Sequence, residues 1–178
     1  TFWAFQQHGL TPDAISMAKS LANGLPMGAM LATDEMAKGF EAGSHATTFG
    51  GGALASGVAA KCVEIMLRDK LADRAAELGK HVMDRVRAIQ DKLPGTVREV
   101  RGLGLMNAIE FVKPEDNAPD GALCAAVQAE ALKRDLLLLN CGADHNNIRL
   151  IPPLNVDEAT LDTVFQIIAE SIAAALKG

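Results

Sequence analysis

Pro94-Gly95 separates two styles of hydrophobic pattern, and no internal repeat crosses the break. Ahead of it, apolar residues recur at helical spacing. Leu54, Val58, Cys62, Ile65 and Met66 mark one helix from Ala53. Leu78, Val82, Val86 and Ile89 mark another from about Leu71 to Leu93. Behind it the pattern becomes α/β. Val97 to Val112 reads as a strand pair or one bent strand, Leu123 to Arg134 as a helix, and Leu136-Leu137-Leu138-Leu139 as a buried strand. Asn146-Asn147 read as a turn, and Ile148-Arg149-Leu150-Ile151 as a strand stopped by Pro152-Pro153. Asp157 suits an N-cap, ahead of a helix with Leu161, Val164, Phe165, Ile168 and Ile172 on one face. Residues 1–50 hold shorter runs broken by Gly and Pro. Ile15-Ser16-Met17-Ala18 and Met27 to Ala32 read as short buried strands, and Asp34 to Phe40 as one or two helical turns. The domain boundary is expected near Pro94.

The 178 residues are 49% hydrophobic, enough to bury a core, so one or two globular domains are expected. Net charge is −5, with no basic run, which argues against a nucleic-acid partner. Apolar stretches fall far short of the roughly 20 residues that span a bilayer. Thr1 to His8 lacks the basic and apolar regions of a signal peptide. Cys62, Cys124 and Cys141 are odd in number and widely spaced, which favours free thiols in a reducing cytoplasm. His8, His45, His81 and His145 have no metal-ligand spacing, and no metal is expected. His81 reads as a solvated helix residue. The aromatic start, without Met, hints at truncation, though processing would look the same.

Two segments of the first part carry chemistry. Ser16-Met17-Ala18-Lys19-Ser20-Leu21-Ala22 holds one lysine among small and apolar neighbours, followed by the turn Asn23-Gly24-Leu25-Pro26-Met27-Gly28. Small neighbours admit a flat cofactor. Partial burial would favour the neutral amine, which attacks an aldehyde to form a Schiff base. Gly43-Ser44-His45-Ala46-Thr47-Thr48-Phe49-Gly50-Gly51-Gly52 leads into the helix at Ala53. Hydroxyls, glycines and free N–H groups at a helix start suit a phosphate. The segment is not a P-loop, because no Gly-Lys-Ser/Thr ends it. By pattern alone the plainer readings are a solvated lysine at a strand end and a flexible turn with a helix cap.

Two arginine segments follow. Arg101-Gly102-Leu103-Gly104-Leu105 is no dinucleotide fingerprint: Asn107 stands where the third glycine belongs, and the glycines precede an apolar strand. Arg149 lies in the otherwise apolar Ile148-Arg149-Leu150-Ile151-Pro152-Pro153-Leu154. A guanidinium there suits a carboxylate through two parallel hydrogen bonds. The plainer reading is an outward-facing arginine on an edge strand.

These segments together resemble the class III (omega-type) aminotransferases, which use pyridoxal 5′-phosphate. The resemblance covers nearly the whole chain but only the later part of the family's length. It implies a PLP-dependent fold type I: residues 1–94 as the end of the PLP-binding large domain, residues 95–178 as a small C-terminal α/β domain. It implies that Lys19 bonds the cofactor and shuttles a proton, and that Thr48 binds the cofactor phosphate of a neighbouring subunit. Arg149 would bind the α-carboxylate of glutamate or 2-oxoglutarate, and Arg101 would be structural. A homodimer with its active site at the interface follows from the role of Thr48. Gly52-Ala53 and Ala14 depart from the family's usual residues. Leu136 to Gly142 resembles the 4-aminobutyrate branch in particular, which implies transfer of an amino group from an ω-amino acid to 2-oxoglutarate. The family's stacking aromatic, its earlier phosphate loop and the aspartate for the pyridine nitrogen have no counterpart here. The chain alone is therefore expected to be a poor transaminase, with exposed apolar surface where the absent strands belong. Other readings are an acetylornithine or ornithine aminotransferase, an aminomutase or decarboxylase on the same fold, and a non-catalytic α/β module that binds a partner.

Overall fold

A computed structural model describes residues 1–177. The chain divides into two compact units, Thr1–Ala72 and Asp73–Gly178.

In the first unit, β1 (Ala14–Met17) and β2 (Ala29–Ala32) pair antiparallel, with Ile15 opposite Leu31 and Met17 opposite Ala29. Thr33 caps α1 (Asp34–Ala37), its hydroxyl accepting from the Met36 N–H at 3.3 Å. A 3-10 turn, Lys19–Ala22, lies against α2 (Ala53–Arg68). Ala22 and Ala59 are the fully buried apolar residues of this unit among those described. The strands exist as expected but are not buried: Met30 and Leu31 are both exposed. A two-stranded ribbon has no third strand to shelter its side chains. The stripe on α2 is half-buried at Val58, Cys62, Ile65 and Met66, while Leu54 is exposed beside the exposed residues 42–52.

The second unit has a substantial core. α3 (Leu71–Asp91) is followed by the hairpin β3 (Val97–Leu103) and β4 (Met106–Phe111), then α4 (Gly121–Leu132), β5 (Leu139–Cys141), β6 (Asn147–Leu150) and α5 (Glu158–Ala175). The antiparallel sheet runs β3-β4-β6-β5. Ile109, Phe111, Ile148, Leu150 and Leu138 join one core with Leu78, Val82, Val86 and Ile89 of α3, Cys124, Val127 and Ala131 of α4, and Leu161, Phe165, Ile168 and Ile172 of α5. The three helices thus cover one sheet face, leaving the other open. On that open side Leu103, Met106, Leu139 and Ile151 are exposed.

The boundary expected near Pro94 falls inside this unit, because the apolar stripe of α3 packs into the core shared with the sheet. Three further expectations change. Leu136 to Leu139 is not a buried strand: β5 begins at Leu139, Leu138 is buried, and Leu137 and Leu139 are exposed. The run lies at a sheet edge, where alternation sends every second side chain outward. Asn146 and Asn147 are not turn residues but buried side chains, Asn147 opening β6. His81 is not free in solvent: its Nε2 lies 2.9 Å from Asp162 Oδ1, joining α3 to α5. Asp157 caps α5 as expected, accepting from the Thr160 N–H at 2.7 Å. That bond holds its carboxyl below the ordinary carboxylate range.

Gly79 is where α3 meets the β3–β4 turn. A Cβ on Gly79 would stand 2.6 Å from Gly104 Cα and from Gly104 O. Alanine is the better helix former by about 1 kcal/mol, yet Gly79→Ala should lower the thermal midpoint, because helix and turn backbones must separate to admit the methyl group. A scan showing an unchanged or raised midpoint would contradict that packing. Burial, then nearby Cys141 and Asp120, pushes the Cys124 thiol from 9.0 up to about 11. Its neutral form thus contributes stability in full below pH 9.0, and this is lost as pH rises toward 11. At neutral pH an aromatic disulfide reagent should titrate half-buried Cys62 and Cys141 in the folded chain, and Cys124 only after denaturation.

Candidate active site

β1 ends at Met17, and the chain turns sharply at Lys19, whose backbone is left-handed at φ 56°. That conformation costs a side-chain-bearing residue about 1 kcal/mol and clusters at functional positions. Leu21 and Asn23 N–H groups donate to Ala18 and Ser20 carbonyls at 3.2 Å each, closing the turn. Lys19, Ser20, Asn23, Gly24, Leu25, Pro26 and Met27 line an open concavity of about 430 Å³. Lys19 is exposed, and among the described residues its ammonium makes no ion pair. The partial burial that the sequence suggested is absent, because residues 19–27 supply one wall and no roof.

Thr48 lies in an exposed loop closed by Gly50 N–H donating to Thr47 O at 3.1 Å and Gly52 N–H donating to Phe49 O at 3.2 Å. Gly52 is the N-cap of α2 and offers no side chain to the first-turn N–H groups. Those groups remain available to an anion. His45 lies 3.1 Å from Ser44 Oγ through Nδ1, and its ring is 4.5 Å from that of Phe40. The primary amine at the strained turn suits an aldehyde, and, separately, the uncapped helix start beside hydroxyls suits a phosphate.

Lys19 and Thr48 belong to the first unit, and Arg149 to the second. Arg149 is not on an edge strand. β6 runs between β4 and β5, with Arg149 opposite Ala108 on one side and Leu139 on the other. Ile148 and Leu150 are buried beneath the helices, so alternation directs Arg149 to the open face, where it is exposed.

On the same face lies a polar cluster that sequence reasoning missed. Glu110 is buried and pairs with Arg98 and, at 3.1 Å, with Arg101. Arg101 Nη2 donates to Asn147 Oδ1 at 2.8 Å, Asn147 Nδ2 to Asn146 Oδ1 at 2.8 Å, and Asn146 Nδ2 to Phe111 O at 2.9 Å. Arg101 thus ties β3 to β4 and β6, in keeping with a structural role. The signal was Glu110 itself, an acid between Ile109 and Phe111 in an apolar strand.

The profile for aminotransferase class-III matches residues 1–172. The chain belongs to the class-III aminotransferase family. It is 34% identical over 173 residues to the 5-aminovalerate aminotransferase DavT of Pseudomonas putida, covering 97% of this chain and 40% of that protein. To the 4-aminobutyrate aminotransferase GabT of Escherichia coli it is 33% identical, covering 96% and 40%. Its fold superposes on the crystal structure of an acetylornithine aminotransferase from Elizabethkingia anophelis with a TM-score of 0.85 at 29% identity, covering 98% of this chain and 44% of that one. The chain therefore spans about two-fifths of the length of these relatives, and its fold is part of a transaminase fold. Class-III aminotransferases use pyridoxal 5′-phosphate. No described helix is long and apolar enough to cross a membrane.

Glu110→Ala should cost about 2 kcal/mol of stability, since it removes the carboxylate that Arg98 and Arg101 share, while Arg101 keeps Glu99 and Asn147 and Asn146 keeps the Phe111 carbonyl. The two guanidiniums are half-exposed and can rehydrate, which keeps the loss below that of a fully buried pair. Urea denaturation reads this as a lower midpoint, and an unchanged midpoint would remove the cluster from the architecture.

Proposed function

We propose that this chain forms the lysine-bearing and C-terminal part of a PLP-dependent aminotransferase acting on donors with a terminal amine. The observation that carries the reading is Lys19, an amine-bearing residue with a left-handed backbone that lines the concavity. The units Thr1–Ala72 and Asp73–Gly178 would be the end of the cofactor-binding domain and the small domain, the rest of the fold covering Met30 and Leu31. Cytoplasmic homodimers are part of the same proposal.

Within it, Lys19 Nζ attaches the cofactor and then carries a proton to and from the substrate carbon that bears the amino group. The cofactor supplies a conjugated electron sink for that carbon when bound. Thr48 and the N–H groups at the start of α2 hold the phosphate of a neighbouring subunit. Arg149, fixed by its strand neighbours, grips the carboxylate of 2-oxoglutarate through paired N–H···O bonds. The donor is 4-aminobutyrate or a close ω-amino acid. DavT and GabT, named for 5-aminovalerate and 4-aminobutyrate, support this donor class, while an acetylornithine aminotransferase of Bradyrhizobium diazoefficiens, 37% identical over 160 residues, keeps an acetylornithine-type donor as the competing reading.

Borohydride reduction of the protein with pyridoxal phosphate, followed by peptide mapping, should place the adduct on Lys19. Lys19→Arg, which keeps the charge but cannot attach the cofactor, should carry none and, in the complete enzyme, lose essentially all turnover. Adducts spread over surface lysines, with Lys19 unmodified, would refute the reading. Competing 4-aminobutyrate against acetylornithine separates the two donor classes.

A further inference from the structure

The turn that forms the concavity contains an unusual asparagine. Asparagine occurs at 23, 107, 117, 140, 146, 147 and 155, and only Asn23 precedes a glycine. Asn107, Asn146 and Asn147 are buried, whereas Asn23 is exposed. Its backbone is left-handed, φ 43° and ψ 50°, and Gly24 follows at φ 113°. Nothing lies within 4 Å of where a Cβ on Gly24 would stand. Asn23 and Leu25 N–H groups donate to the Ser20 and Ala22 carbonyls, each at 3.2 Å, but the Gly24 N–H donates to no carbonyl among the described residues. Gly24 is exposed and its amide nitrogen, one bond beyond the Asn23 carbonyl carbon, is therefore untethered.

We propose that Asn23 is a site of spontaneous deamidation that changes the charge of the Lys19 concavity. The Gly24 backbone nitrogen, losing its proton to base, attacks Cγ of Asn23. The Cγ–N bond breaks, and the side-chain nitrogen leaves as ammonia after taking up a proton. The resulting cyclic imide is opened by one water at either carbonyl, giving aspartate or isoaspartate. No electron changes hands and no co-reactant beyond water is needed. Glycine matters because it has no side chain to hinder rotation of Asn23 ψ toward the attack geometry. The product is a carboxylate where a neutral amide stood. Asn23 and Lys19 line the same concavity. The isoaspartate product also adds a backbone methylene to the turn. The charge change stands on the geometry alone; its effect on catalysis rests on the function proposed above.

The test incubates the folded chain in mildly alkaline buffer beside Asn23→Gln and a synthetic peptide spanning Ser20 to Met27. Peptide mapping, with isoaspartyl methyltransferase labelling, reads the exchange of NH2 for OH. Conversion at Asn23 in the folded chain, ahead of every other asparagine and absent from Asn23→Gln, is the expected result. A folded chain that stays intact while the peptide converts, or that converts first elsewhere, overturns the site. The readout requires no cofactor binding, so a failure here is distinguishable from a failure of the aminotransferase reading.

Discussion

The dry face of the four-stranded sheet is the constraint on which the second unit depends. Ile109, Phe111, Ile148 and Leu150 must lie under α3, α4 and α5, because these side chains and the stripes of the three helices form one core withdrawn from water. Once Ile148 and Leu150 are inside, strand alternation leaves Arg149 no choice of face. The same rule sends Glu110 and Asn147 to the open side, where they cannot be dry without partners. Arg98, Arg101 and Asn146 supply those partners. Core packing thus decides where the guanidinium of Arg149 points, and the polar cluster holds β3, β4 and β6 in the register that presents it.

The glycines of the Arg101 to Leu105 segment fit the same account. Gly104 turns the hairpin with φ 56° and brings its backbone against Gly79 of α3. A motif that superficially suggests nucleotide binding is a contact between a helix and a hairpin. The first unit works by other means. With Ala22 and Ala59 as its fully buried apolar residues, it positions Lys19 through a hydrogen-bonded turn and a left-handed backbone instead of a core. Such a turn can present an amine sharply while leaving it open to solvent.

Much of the architecture was legible because the periodicities are strong. The stripe Leu78, Val82, Val86 and Ile89 and the stripe Leu161 to Ile172 are buried as their spacing requires. The Asp157 cap was legible from a single residue type in a single place. An apolar run by itself does not measure burial. Met30, Leu31, Leu137 and Leu139 are apolar and exposed, since burial depends on what covers a strand and not on the strand. Asn146 and Asn147 look like turn residues in isolation, yet Glu110, distant in sequence, gives them a reason to be buried.

The sequence by itself determined the family, the elements and the chemical identity of Lys19, Thr48 and Arg149, because local spacing and residue type carry that information. Only the tertiary structure decided that α3 belongs with the sheet, that Arg149 sits on an interior strand facing outward, and that Arg101 serves Glu110. Each of these depends on which residues meet across the chain: the pairing of β4 with β6, the docking of Gly79 on Gly104, the burial of one acid among apolar neighbours. Spacing along a chain has no access to such meetings, since they follow from closing a core in three dimensions.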